Sequence, residues 1–405
     1  MLWFPTLPAP IEVLLMDREV RIGIVGVGTM GYAHAKHIYG GQTKRARLTA
    51  LCDTDPARRE VLAADFAGVP IFAEHRELLS SGLCDAVIIA TPHYAHPVVG
   101  IDAFEAGLHV LTEKPMAVQY SAAKAFVNAA EKSGKVFCTM FNQRTDPIFA
   151  KAREMVRDGA IGEAKRFHWI ITNWYRTQAY YDSGSWRATW SGEGGGVLMN
   201  QAPHNLDLWQ WIFGMPSRVR AFCYEGKYHD IAVEDEALIY GEYENGATAV
   251  FQTMTGEFPG TNRLEITGDG GKIVLENGVL KYWRLLERER AFCYASQDSF
   301  SKIPMEYREF TFPRSKNAHG KIIQNFVDHI LEGAPLLSHG SEALSEVMLC
   351  NSAYLSSWKD CWIDLPFDAA EFDALLAARC TDDVQKNKPS SAGNGGYNER
   401  WQVRW

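Results

Sequence analysis

Over residues 20–141 short continuous apolar runs alternate with helix-patterned stretches. VRIGIVGVG (20–28) reads as a buried strand entering a glycine turn, and a helix follows from Met30 to Ile38. RLTALCD (47–53) is a second strand ending in an acid, and PARREVLAADF a helix with Pro56 in its first turn. VPIFA, CDAVIIAT (84–91), LHVLTEKP and KVFCTMFN are further strands. Between the later strands, HPVVGIDAFEAG is a helix stopped at Gly107, and SAAKAFVNAAEKSG is another. Regular alternation of strand and helix predicts a doubly wound parallel sheet of Rossmann type over 18–141.

Beyond NQRTDPIFAKAREMVRDGAIG the period changes. AKRFHWIITNWY, SRVRAFCYEG, DEALIYGEYENGATAVFQTMTG and NRLEITGDGGKIVLENGVLKYW are long and alternate polar with apolar residues. They predict a large, open, mostly antiparallel sheet with one wet face, and Asn245-Gly246 marks a hairpin turn. Helices are expected at 319–332 and 340–358, giving an α/β domain over 142–367. Residues 368–405 read as a C-terminal tail, polar from TDDVQKNKPSS onward. Residues 1–17 form an N-terminal extension with three prolines and no basic leader, read as an extended arm or the product of an upstream start.

At 405 residues two domains are the default. A net charge of −8 offers no basic field for nucleic acid or anionic lipid, and no apolar stretch reaches membrane-spanning length. The eight cysteines are scattered without a C-x-x-C, so reduced thiols in the cytoplasm are expected. The H-x-x-H pairs His34/His37 and His93/His96 have no third ligand placed by sequence, so no metal is expected.

Gly26-Val27-Gly28-Thr29-Met30-Gly31 is G-x-G-x-x-G, set between a strand and a helix. In that context Gly26 permits the turn, Gly28 a close approach to pyrophosphate, and Gly31 close packing of helix on strand. The free N–H groups at the helix start, at Thr29 and Met30, would face phosphate. Asp53 would accept from a ribose diol and repel a 2′-phosphate. NAD is therefore expected over NADP, with Arg58 and Arg59 as the residues that could soften the choice.

TEKPMA (112–117) and GGGVLMNQAPHNLD (194–207), behind such a glycine loop, resemble the glucose–fructose oxidoreductase/inositol dehydrogenase/MocA family. TPHYAHP (91–97) and NQRTDP (142–147) fit the same pattern. The resemblance covers roughly residues 18–367. It implies hydride exchange between NAD(P) and a secondary hydroxyl of a sugar, cyclitol or glycoside, and homo-oligomers formed through the C-terminal sheet. Matched position by position, Lys114 is the lysine on the nicotinamide side, commonly followed by a cis proline, and His204 is the general acid/base. Asn200 stands where many members carry aspartate; an amide cannot take a proton, so the load shifts to His204 and Lys114. Asp207, three residues on from His204, is a candidate substrate carboxylate. Thr91, His93, His96, Glu113 and Arg144 are assigned to the cofactor side of the same cleft.

The glycines 194–196 are expected to bring the backbone beneath that cleft. A helix then starts with Pro203 in its first turn and ends before Gly214. NWYRTQAYYDSGSWRATW (173–190) is dense in aromatics and arginine. Its Tyr175, Arg176, Tyr180, Tyr181, Trp186 and Arg187 could stack on and hydrogen-bond a sugar ring. The expected activity is NAD-dependent oxidation or reduction of a ring hydroxyl, giving, for a glycoside, a 3-oxo product. The alternatives are redox-neutral glycoside cleavage through transient oxidation, and a non-catalytic NAD-binding sensor.

Overall fold

The computed structural model describes residues 18–184, 186–313 and 316–383. The N-terminal extension and residues 384–405 of the expected tail lie outside the described residues.

The first sheet is built from β1 (Val20–Val25), β2 (Ala46–Cys52), β3 (Ile71–Phe72), β4 (Ala86–Ile89), β5 (His109–Thr112) and β6 (Phe137–Thr139). All pairings are parallel and the order is β3-β2-β1-β4-β5-β6. This is the doubly wound order that reverses between β1 and β4, and it opens a crevice at the carboxyl ends of those strands. The apolar runs are continuous because helices cover both faces: all four residues of β4 are buried. Local signals set the helix ends. Asp55 accepts from the Ala57 N–H, with Pro56 at the first helical position, and Gly134 at φ 63° closes the helix Tyr120–Ser133.

The second sheet holds β7 (Ala164–Ile171), β8 (Arg218–Glu225), β9 (Glu234–Glu242), β10 (Thr248–Met254) and β11 (Asn262–Gly268). It continues with β12 (Gly271–Glu276), β13 (Val279–Leu285), β14 (Met305–Thr311) and β15 (Ile363–Asp364). The order is β14-β13-β12-β11-β7-β10-β9-β8-β15, antiparallel except where β10 runs parallel to β7. The hairpin at Asn245-Gly246 pairs Thr248 with Glu242, and Gly246 supplies the positive φ of 83°. Phe167, Trp169 and Ile171 alternate inward on β7 and stack with Trp209 and Phe251 into one aromatic core.

Two features depart from the sequence reading. Residues 369–382, within the expected tail, form a helix whose Phe372 and Leu376 are buried in the second core, so the folded chain continues to Asp383. The helix Ala318–Glu332 belongs to the first sheet rather than the second. Its Ile322, Ile323, Phe326 and Val327 pack with Ile22, Ile24 and Leu51, and Ala343 and Val347 pack on the opposite face with Phe126 and Phe137. A boundary at 141 therefore does not divide the cores, because an amphipathic helix does not encode which sheet it will cover.

Phe326→Ala removes a fully buried ring from the Rossmann core. A loss of about 3–5 kcal/mol is expected in denaturant unfolding, seen by a probe in the first domain.

Candidate active site

The glycine loop ends β1 and opens the helix Thr29–Tyr39. A Cβ on Gly26, at φ 83°, would sit 2.6 Å from the Thr91 nitrogen, and one on Gly31 would sit 1.9 Å from the Gly26 carbonyl oxygen. Both glycines are thus demanded by the protein's own packing. A Cβ on Gly28 would meet no protein atom within 4 Å. The fold does not require glycine there, but a ligand laid on the loop backbone would. The helix has no side-chain cap and no acid in its first turn, so its leading N–H groups are left for an anion. Asp53 accepts from the Val27 N–H at 2.8 Å and the Asp55 N–H at 3.0 Å. A carboxylate pinned this way keeps lone pairs for a ribose diol. Arg59 is turned onto the carbonyls of Asp53 and Thr54. These residues fit a dinucleotide.

Lys114 follows β5, and the Lys114–Pro115 peptide is cis. Its ammonium donates to the backbone carbonyl of Asn200 at 2.7 Å, joining segments 86 residues apart. Burial lowers its pKa, while Glu113, Glu346 and Glu193 oppose the shift. His204, in the first turn of the helix Pro203–Phe213, is half-buried and flanked edge-on by Phe141 at 6.3 Å. Burial and the nearby Lys114 ammonium hold its imidazole well below the ordinary value, so it is neutral at physiological pH, as a base must be. The two groups proposed to meet over the cofactor loop therefore lie together.

The glycine run serves protein packing. Cβ atoms on Gly194, Gly195 and Gly196 would clash with Val118 at 2.4 Å, the Tyr354 hydroxyl at 2.2 Å and the Glu234 carbonyl at 1.9 Å. The backbone thus passes against the turn after Pro115 and against β9. Glu234 accepts from the N–H groups of Gly196 and Leu198 and from the Tyr354 hydroxyl. Burial raises its carboxyl to about 7 against those bonds.

Asn200 works mainly through its backbone. Its side-chain amide donates to Glu193 and, at 3.3 Å, to the Tyr180 hydroxyl. Glu193 is the carboxylate that the family comparison of position 200 overlooks. It is buried, accepts from the Ala188 N–H, and lies 3.6 Å from Arg187. Burial raises its pKa, and Arg187, Asn200 and Lys114 pull it down. The sequence signal was present: an acid set inside Gly-Glu-Gly-Gly-Gly, where flexible stretches seldom carry a lone charge. Arg187 donates to Tyr180 and lies over the Tyr180 and Trp186 rings, and Trp186 meets His93 edge-on at 5.7 Å. Tyr180, Trp186, Arg187, Glu193 and Asn200 form one wall of the site.

Other expected site residues are engaged elsewhere. Arg144 and Asp207 are both buried in a bidentate ion pair at 2.6 and 2.8 Å; Arg144 also bonds Glu342 and stacks on Phe141 and Trp211. Both side chains are closed in this pair rather than open to a cleft, since a guanidinium removed from water takes the nearest carboxylate. Tyr181 is a core residue, with its hydroxyl on Thr255 and its ring on His229. Tyr175 is exposed and packs on Phe258, while Arg176 donates to the carbonyls of Trp174 and Tyr175. His96 is buried with its ring nitrogens 2.8 Å from the carbonyls of Pro115 and Thr91, so it brackets the Lys114–Pro115 turn. His93 binds the Glu193 carbonyl. Glu113 is buried against His34 at 2.7 Å; burial would raise its carboxyl, but His34 and the surrounding cations hold it down to about 2. Among the described residues no group of three or more His, Cys, Asp or Glu side chains is arranged to hold a metal ion. No helix there is long and apolar enough to cross a membrane.

Comparison with known proteins gives the family and the fold. Residues 20–141 match the model of the oxidoreductase family with an NAD-binding Rossmann fold, and 149–274 match the GFO/IDH/MocA C-terminal domain. Inositol 2-dehydrogenase of Rhizobium meliloti (strain 1021) is 25% identical over 83% of this chain and 96% of its own length. The scyllo-inositol 2-dehydrogenase (NAD(+)) of Bacillus subtilis (strain 168) is 27% identical over 71% of this chain and 81% of its own. The WlbA dehydrogenase from Bordetella pertussis, solved with NADH and UDP-GlcNAcA, superposes with a TM-score of 0.72 at 26% identity. It covers 87% of this chain and all of that one. Levoglucosan dehydrogenase in complex with NADH shares the fold at 22% identity and a TM-score of 0.71, over 87% of this chain and all of its own.

Asp207→Ala strands the Arg144 guanidinium, and a stability loss of about 3–5 kcal/mol is expected by urea unfolding. A variant that keeps full stability and loses only substrate affinity would return Asp207 to the substrate site.

Proposed function

Since the chain belongs to the GFO/IDH/MocA oxidoreductases, NAD-dependent enzymes of CH–OH groups, we propose that it oxidises a ring secondary hydroxyl of a sugar, cyclitol or glycoside at the Lys114–His204 pair. The observation that carries this reading is the convergence of an ammonium and a neutral imidazole from segments far apart in sequence: Lys114, after a Rossmann strand, bonds the segment that leads into the His204 helix. The dinucleotide supplies the hydride acceptor. Lys114 spends one N–H on Asn200 and keeps two for the substrate oxygen, where it stabilises alkoxide charge as the C–H bond breaks. His204 takes the hydroxyl proton. Glu193, through Asn200 and Arg187, fixes the wall against which the sugar ring lies, and Trp186 offers it an apolar face.

A cleft of about 1590 Å³ adjoins the site, lined by Asn142, Asn173, Asn262, Trp169, Phe149 and His319 among others. Ordinary small-ligand pockets hold about 300–1,000 Å³. The cleft runs from the glycine-loop helix, at Thr29 and Met30, to these amide and aromatic groups, so it has room for a dinucleotide and a sugar side by side. The redox-neutral reading draws on the same cleft, and release of an aglycone without net reduced nicotinamide would distinguish it. We further propose that copies associate through the outer face of the second sheet, where Phe222 and Tyr224 are exposed.

His204→Ala and Lys114→Ala should each lower kcat about 10²–10⁴-fold on the true substrate with NAD affinity retained. Near-full turnover by His204→Ala overturns the reading. The pH profile tests it independently. With the folded-state pKa depressed, the imidazole stays unprotonated as the pH falls through the ordinary histidine value of about 6.5. The acid limb of kcat/KM for oxidation should therefore fall below that pH; a limb centred above it contradicts the assignment.

A further inference from the structure

The wall that carries Arg187 and Glu193 is a loop, and a loop can orient a sugar only as firmly as it is itself held. Residues 186–193 close on themselves. The Glu193 N–H donates to the Thr189 carbonyl at 3.0 Å, the Gly192 N–H to the Thr189 hydroxyl at 3.1 Å, and the Ala188 N–H to the Glu193 carboxylate at 2.8 Å. Trp186 and Arg187 stand at one end of the loop and Glu193 at the other, with Trp190 and Ser191 at its tip.

The tip is gripped from outside by two segments. Tyr94, which precedes the helix Ala95–Glu105 of the first domain, donates its hydroxyl to the Trp190 carbonyl at 2.7 Å. Its neighbour His93 already holds the Glu193 carbonyl. Asp383, which caps the end of the helix Ala369–Asp382, accepts from the Ser191 N–H at 2.6 Å. The Trp190 side chain is buried edge-on to Tyr354 and Trp358, and the Arg379 guanidinium lies over the Trp190 and Trp358 rings. The helix that supplies Arg379 and Asp383 is itself well anchored. Phe372 stacks on Trp358 at 5.5 Å, Arg379 pairs with Glu225 at 2.5 Å, and Asp373 accepts from the Gln119 amide at 2.9 Å. Gln119 closes the turn that follows Lys114 and Pro115. One helix is therefore fastened both to the Rossmann segment that carries the ammonium and to the loop that forms the wall.

We propose that Tyr94 and Asp383 are positioning residues for the substrate, fixing the Trp190–Ser191 tip so that Arg187 and Glu193 meet the sugar ring in register with Lys114 and His204. The proposal rests on the reading of the site given above, and it gives the chain beyond residue 367 a part in substrate recognition. Both residues act on the backbone of the loop tip. Their loss should loosen the wall while the Lys114–Asn200 bond and the glycine loop stay in place. Contacts to the sugar that are equal in ground and transition states then weaken, which raises KM and spares kcat.

The test uses the full chain and the best wild-type substrate from a panel of neutral hexoses, cyclitols and methyl glycosides. In Tyr94→Phe/Asp383→Ala, KM for that sugar should rise about tenfold, with kcat within about twofold and NADH affinity, read by nicotinamide fluorescence, unchanged. Hydrogen exchange of peptides spanning 186–196 should quicken by about tenfold, with no change over 20–31. Asp383→Asn keeps an oxygen for the Ser191 N–H and should hold KM near the wild-type value, where Asp383→Ala raises it about threefold. An unchanged KM in the double variant overturns the proposal. So does a loss of kcat and NADH affinity alongside KM, which makes both residues merely structural, or an Asp383→Asn no better than Asp383→Ala. If the double variant keeps its KM while His204→Ala is inactive, the proposed activity stands and only the positioning role falls. A wild type that oxidises nothing in the panel, or an active His204→Ala, overturns the reading of the activity and this proposal with it.

Discussion

The hydrogen bond from the Lys114 ammonium to the Asn200 carbonyl is the constraint on which the site depends. It ties the end of a Rossmann strand to the segment that enters the His204 helix. A half-buried ammonium cannot be left without acceptors, so the second domain must deliver a carbonyl there or lose the charge. Everything around the bond serves to keep both ends in place. His96 brackets the turn on one side, and Asn351, from the helix Ala343–Lys359, takes the Tyr120 N–H and donates to the Val118 carbonyl on the other.

The acceptor side is held by buried carboxylates. Glu234 binds the two N–H groups that open the short turn before Asn200, and Glu193 binds the Asn200 amide. Removing a carboxylate from water is costly, and each is compensated by several donors. The same economy governs Asp207, on the His204 helix, and Arg144, which neutralise one another while the guanidinium lies between Phe141 and Trp211. The site is thus a small polar chamber walled by aromatic packing. The two remaining Lys114 N–H donors and the neutral His204 ring are the groups the proposed hydride transfer would use.

The histidines gather on one side of that chamber. His34, which reads in sequence as half of an H-x-x-H pair, is instead hydrogen-bonded to Glu113, and His319 arrives from a helix more than two hundred residues later. The helix that carries His319 is the one that packs on the Rossmann sheet rather than on its own domain. The return of the chain to its first core therefore covers that sheet and brings His319 to the cleft in one step.

How much of this was legible in sequence depends on the range of the interaction. The parallel sheet, the glycine loop with Asp53, the hairpin at Asn245-Gly246, the helix from Pro203 to Phe213, and the candidates Lys114 and His204 follow from period, turn chemistry and motif. Each of these acts over a few residues, or through a pattern that a cofactor imposes on the chain. The partners of buried charges could not be read that way. Nothing near Arg144 in sequence marks Asp207 as its mate, nothing near Asn200 marks its carbonyl as the acceptor for Lys114, and the glycines 194–196 do not say that Val118, Tyr354 and Glu234 will press against them. Burial makes each polar group demand a partner, but which group answers is decided only when distant segments are brought together, and that choice belongs to the tertiary structure.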